Sequence, residues 1–174
     1  MKKIFFCVLL FSFSMLAKAQ SDSTWKFKKL NSVNIELLGP AILYSVNYER
    51  IILNAKRFKT IGNIGVSYFP YSKLDKGASF QTPIYLAELF SISKKKYVEL
   101  GVGNKFMFAK NELYNIPFFR IGIRHQNPDG KFYFKIAIIP TVERGELAIM
   151  TPDGKPAYVY SYFPWVGFTF GYAF

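Results

Sequence analysis

The sequence predicts an all-β chain, a transmembrane antiparallel up-and-down β-barrel of eight strands. Three observations carry that prediction. After residue 20 no apolar run reaches the ~18 residues of a membrane-spanning helix, and helical periodicity is absent. Segments of period two recur instead between turn signals, close to the ~9–11 residues a tilted strand needs to cross a bilayer. The last nine residues alternate without a slip. Val166, Phe168, Phe170, Tyr172 and Phe174 share one face, and Gly167, Thr169, Gly171 and Ala173 share the other. A strand that meets lipid outside and fills a narrow lumen inside needs that division.

The first strand is expected over 32–38, with Val33, Ile35 and Leu37 outward and Ser32, Asn34 and Glu36 inward. Gly39-Pro40 turns the chain, since glycine tolerates positive φ and proline cannot donate to a ladder. The second, 41–52, places Tyr44, Val46 and Tyr48 outside and Ser45, Asn47 and Glu49 inside, and a short basic turn follows at 54–57. The third, 58–69, sets Ile64, Val66 and Tyr68 against Asn63, Gly65 and Ser67. A polar connection is expected over 70–82. The fourth, 83–92, puts Glu88 on the face of Ile84, Leu86 and Phe90, which calls for a bulge or an inverted facing.

A tight basic turn at 93–96 leads to the fifth strand, 97–108, with Val98, Leu100, Val102 and Phe106 opposing Glu99, Gly101, Gly103 and Lys105. The sixth, 116–125, sets Phe119, Ile121 and Ile123 against Arg120, Gly122 and Arg124. Asn127-Pro128-Asp129-Gly130 is a strong turn signal. The seventh starts at Lys131, sets Phe132, Phe134, Ile136 and Ile138 against Tyr133, Lys135 and Ala137, and runs past Pro140. The eighth starts as early as Tyr158, kinks at Pro164 and ends at Phe174. The turns near Lys56, Lys95 and Asp129 are expected on the periplasmic side, and the connections 70–82 and 144–161 on the external side.

A soluble eight-stranded barrel inverts this pattern and buries its apolar face. Here that choice would force Tyr44, Tyr48, Phe119, Phe132, Phe134, Phe168, Phe170 and Phe174 into one lumen. An eight-stranded interior has room only for a filled core or one small ligand. Glycines facing that interior leave space for long neighbours.

The N-terminus reads as an export signal. Lys2 and Lys3 precede an apolar run from Ile4 to Leu16, and Ala17-Lys18-Ala19 matches the small-x-small pattern of a cleavage site. The run is too short for a bilayer anchor. The expected division is a cleaved signal peptide over 1–19, a short periplasmic segment over 20–30 and the barrel over 31–174. Cleavage removes the single cysteine, and with it any disulfide or thiolate metal site. It also removes three of the 23 Lys and Arg residues, leaving 20 against 11 acidic residues, a net charge of +9. The basic residues are scattered over strand ends and turns, which argues against nucleic acid. Anionic lipid head groups or lipopolysaccharide phosphates are the expected neighbours, contacted by Lys73, Lys76, Lys110, Arg144 and Lys155 of the external connections.

The signal ending Ala17-Lys18-Ala19, the eight alternating segments and the terminal Phe168-x-Phe170-x-Tyr172-x-Phe174 together resemble the small eight-stranded outer-membrane β-barrels of Gram-negative bacteria, the OmpA/OmpX-like type. The segments Glu36-Leu37-Leu38-Gly39 and Tyr44-Ser45-Val46-Asn47-Tyr48-Glu49-Arg50 look like the opening hairpin of such barrels. The resemblance spans nearly the whole mature chain and implies an outer-membrane location. It also implies that Phe168, Phe170, Tyr172 and Phe174 are read as an assembly signal by the barrel assembly machinery. One architecture hosts porins, adhesins, enzymes and structural proteins, so the resemblance does not name an activity.

The inward set brings Glu36, Glu49 and Glu99 into one lumen with Lys105, Arg120, Arg124 and Lys135. Isolated charges there are expensive, so mutual pairing is expected, giving a salt-bridged plug rather than a narrow conduit. Enzymatic readings fare poorly. His125 is the only histidine, it lacks a nearby serine, and it cannot by itself build a histidine zinc site. Gly101-x-Gly103 lacks the helix and third glycine of a nucleotide fingerprint. Tyr160, Tyr162, Phe163 and Trp165, like Tyr68, Phe69 and Tyr71, read as aromatic girdle, with a sugar- or peptide-binding surface as the sharper alternative. The expectation is a monomeric, non-enzymatic outer-membrane barrel without metal or cofactor, serving envelope structure or surface interaction. A narrow solute channel and a lipid-modifying outer-membrane enzyme are the alternatives.

Overall fold

The computed structural model describes residues 26–55, 58–69, 79–109, 112–150 and 156–174, and of 109, 112, 143–150 and 156–161 the backbone alone. The proposed signal peptide and the lysines at 73, 76, 110 and 155 lie outside the described residues, as does the side chain of Arg144.

Eight strands close a barrel in chain order, each antiparallel to its neighbours. They are β1 (Asn31–Leu37), β2 (Tyr44–Asn54), β3 (Phe58–Phe69), β4 (Ser79–Ser93), β5 (Lys96–Ala109), β6 (Glu112–Gln126), β7 (Phe132–Met150) and β8 (Pro156–Ala173). Closure is made by β1 against β8, where Ile35 opposes Phe170 and Leu37 opposes Phe168. The amide of Phe174 donates to the carbonyl of Asn31 at 2.8 Å and seals the same seam.

Paired positions followed once around the barrel set its stagger. From Ser32 they lead through Glu49, Asn63, Tyr85, Gly103, Phe118 and Thr141 to Phe163, ten residues from Ala173, with which Ser32 itself pairs. Such a stagger tilts the strands and brings side chains far apart in sequence to one level of the lumen.

The facing follows the alternation. Ser32, Asn34, Glu36, Ser45, Asn47 and Glu49 are buried, while Val33, Ile35, Tyr44, Val46 and Tyr48 stand outside. Large apolar side chains are exposed on all eight strands and most charged strand residues are buried, the reverse of a soluble barrel and the division of one that stands in lipid. Inside, Tyr85, Phe118, Ile139, Ala137, Ile61, Leu89 and Tyr97 belong to one apolar cluster.

Several details differ from the sequence expectation. β4 needs neither a bulge at Glu88 nor an inverted facing. Ile84, Leu86, Glu88 and Phe90 all face outward, and the register shifts only past them, between Ser91 and Ser93. The carboxylate tolerates this because the hydroxyl of Thr60, directly opposite on β3, donates to it at 2.6 Å. The connection expected over 144–161 is largely strand, since β7 and β8 continue pairing to Leu147 with Ala157 and, past a register shift, Met150 with Pro156. Likewise β4 begins at Ser79, inside the expected loop 70–82.

At the β1–β2 turn the positive φ angles fall on Leu38 (59°) and Ile42 (72°), not on Gly39. Gly39 is needed for space instead: a β-carbon there would sit 2.6 Å from the Glu36 carboxyl carbon. Trp165 does not join the outer girdle. It packs half-buried against the inner apolar cluster, on the face of Gly167 and opposite Ile139.

Candidate functional site

The candidate site is the charged belt inside the barrel. Inward parity puts Glu36 on β1, Glu49 on β2, Glu99 on β5, Arg120 and Arg124 on β6 and Lys135 on β7, all buried. These are three carboxylates and three cations, so the six sum to no net charge.

Arg120 is the hub of one half. Its Nε donates to Glu99 Oε1 at 2.5 Å and its Nη1 to Glu36 Oε1 at 2.6 Å. Its Nη2 reaches the Thr169 hydroxyl at 3.4 Å, and its guanidinium lies 5.1 Å from the Tyr85 ring centre. Groups from four other strands therefore converge on one guanidinium, whose rigid fork suits two carboxylates at once.

Glu49 is the hub of the other half. Arg124 Nη1 donates to its Oε1 at 2.6 Å, and Lys135 Nζ donates to its Oε2. Lys135 also stands 3.4 Å from Glu99 Oε2, which links the two halves into one chain of charges. The Arg124 Nε donates to Gln126 Oε1 at 2.7 Å, and its guanidinium stacks 4.0 Å from the centre of Tyr133. Tyr133 is held in turn by Asn34, whose Nδ2 donates to its hydroxyl at 3.0 Å.

Glycine makes room for this belt. A β-carbon on Gly167 would sit 2.5 Å from Glu36 Oε1, and one on Gly103 would meet Tyr85 and Phe118 equally closely. Any larger residue at either position displaces the carboxylate or the rings that flank it.

Lys105 is buried too, farther along β5 from the terminal end, opposite Pro83 and Ile116. On that side of the belt the lumen is lined by Asn47, Asn63, Ser67 and Gln81. Asn63 keeps both amide atoms buried without a hydrogen-bond partner, as does the Gln81 carbonyl oxygen.

The terminal end is closed by a residue that the sequence reading left in a plain periplasmic segment. Phe27 is buried, with its ring 5.1 Å from that of Tyr97. Asn54 ties it down from both sides, accepting from its amide at 3.2 Å and donating to its carbonyl at 2.8 Å. Lys59, buried beneath, donates to Ser91 at 3.0 Å and lies 5.7 Å from the Phe27 ring centre. The available signal was one large aromatic set among Lys26, Lys28 and Lys29, which has no use in a solvated tail.

Outside, Phe168, Phe170, Tyr172 and Phe174 form the outward row of β8. Phe170 packs on Phe134 at 5.4 Å and Tyr172 on Phe132 at 5.3 Å between ring centres. His125 is also outward, paired with Lys96 on β5 and Phe134 on β7.

Neither a protein-family model nor a curated protein sequence matches the chain. Among solved structures it is similar to the crystal structure of Ail, the attachment invasion locus protein of Yersinia pestis. The match has 15% identity over 83% of this chain and 94% of that one, with a TM-score of 0.37. The strand order, the closure and the exposed apolar faces make the chain an all-β, eight-stranded, antiparallel up-and-down membrane barrel.

Proposed function

We propose that this is a monomeric outer-membrane barrel, plugged by its own charges, with a non-enzymatic role in envelope structure or surface interaction. One observation carries the reading. Three buried carboxylates and three buried cations pair with one another across the lumen, above a mouth filled by Phe27. A conduit for ions needs charges that are hydrated and free to exchange partners. Here each guanidinium is held by two or more protein groups.

The export signal and the aromatic terminal row support the outer-membrane assignment, with the row serving as the tag that the assembly machinery reads. Deleting Phe174 is expected to lower the amount of folded protein in the outer membrane; normal assembly without it would remove that role. Planar-bilayer recording tests the plug. The protein should insert without stable unitary steps, and reproducible unitary conductance would replace the plug with a channel. Unaltered lipid A in a deletion strain, read by mass spectrometry, is the result expected for a non-enzymatic barrel.

A further inference from the structure

Glu88 stands on a lipid-facing surface with only one of its two carboxylate oxygens hydrogen-bonded. It is the one carboxylate among the described side chains on the outward strand faces, in a row otherwise made of Phe80, Thr82, Ile84, Leu86, Phe90 and Ile92. Thr60 donates to one of its oxygens at 2.6 Å, while the other oxygen is buried with no hydrogen-bond partner. A carboxylate oxygen kept from water without a donor is costly, by more than a solvated surface residue would bear.

Beside it runs an apolar groove of about 600 Å³ along the outer surface from β4 to β7. Leu86, Leu100, Val102, Phe119, Ile121 and Pro140 line it, with Glu88 and Thr60 at its edge. The groove passes the point where Pro140 interrupts β6–β7 pairing, between Phe118–Thr141 and Ile121–Ile138. Glu88 sits one outward position from Phe90, near the end of the barrel ringed by Phe132, Tyr172 and Phe174. Side chains at such an aromatic ring lie within reach of lipid head groups.

We infer that Glu88 and Thr60 form the polar end of a phospholipid site whose ligand carries a primary ammonium head group and lays an acyl chain in the groove. The charge is complementary, and a primary ammonium can donate N–H hydrogen bonds to the Glu88 carboxylate. A trimethylammonium head group has the same charge and no such donor. The inference rests on the reading of the outer face as lipid-facing.

The test uses the exported protein refolded into vesicles of equal phosphatidylethanolamine and phosphatidylcholine, released in mild detergent and weighed by native mass spectrometry. The wild type should retain the ethanolamine lipid over the choline lipid by about tenfold, as expected for one charge-assisted hydrogen bond. Glu88→Gln keeps the shape and should abolish the preference, and Thr60→Val should weaken it. Arg50→Gln, an outward charge at the same end but outside the groove, should leave it intact. Equal retention by the wild type, or a preference that survives Glu88→Gln, overturns the inference. So does loss of preference in Arg50→Gln, which would mark a general charge effect. A dimer that disappears in Glu88→Gln would assign the groove to protein rather than lipid and overturns it too. If Glu88→Gln does not refold, Thr60→Val decides by the same readout. Failure of the wild type to insert into vesicles would instead remove the membrane reading itself.

Discussion

Two ion pairs of similar length sit in opposite surroundings. Arg120 and Glu36 meet at 2.6 Å with side chains 0% and 2% exposed, whereas Lys28 and Asp129 meet at 2.9 Å with side chains 78% and 60% exposed. Geometry alone would rank them together. In the lumen neither partner can turn to water, so each depends on the other and on Glu99, Thr169 and Tyr85 around them. At the rim both groups keep their hydration, and the bond between them replaces little. The difference teaches that the inner charges are structural because they are enclosed, not because they are close.

The sharpest way to break this comparison is Arg120→Leu. It leaves Glu36 and Glu99 buried without their shared guanidinium and should cost about 3–5 kcal/mol, read as a lower urea midpoint in vesicles and lost heat-modifiability on a gel. Phe27→Ala comes next. It opens the apolar cover beneath the belt and should cost about 2 kcal/mol, less than a full core truncation because the residue lies at the mouth. At the opposite turn, Ile42→Gly should raise stability by about 1 kcal/mol, read as a higher midpoint, since a β-branched residue there holds a positive φ.

The smallest effect is expected from Lys28→Ala. The hydrogen bond with Asp129, and then its charge, raises the Lys28 pKa, while Lys28 holds the Asp129 carboxyl below its usual range. The pair therefore contributes between those two limits. It is lost as pH falls through the lowered Asp129 pKa or rises through the raised Lys28 pKa. With both groups solvated, the unfolding midpoint at neutral pH should not move.

Much of the fold was legible because period-two alternation is a local signal. Glu36, Glu49, Glu99, Arg120, Arg124 and Lys135 could each be placed inside from their immediate neighbours. Which of them meet could not be read the same way. Arg120 reaches Glu36, 84 residues away, only because the ten-residue stagger lifts β6 against β1. The same holds for Glu88, whose outward facing looked like an error until Thr60 stood opposite it. Trp165 was misjudged, and Phe27 passed over, for a related reason. Aromatic residues near a barrel end serve an outer girdle or an inner cover equally well, and the choice depends on the cavity they meet. Leu38 and Ile42 carry the positive φ angles that Gly39 was expected to carry, while the glycine instead leaves room for Glu36.

A double-mutant cycle on Arg120 and Glu36, set beside one on Lys28 and Asp129, tests the central claim most directly. Both cycles use equilibrium unfolding of the barrel from vesicles of one lipid composition. Enclosure predicts a coupling of about 3 kcal/mol or more for the inner pair and none that can be resolved for the rim pair. An inner coupling as small as that of the rim would contradict it, and the buried charges would then owe their place to something other than one another.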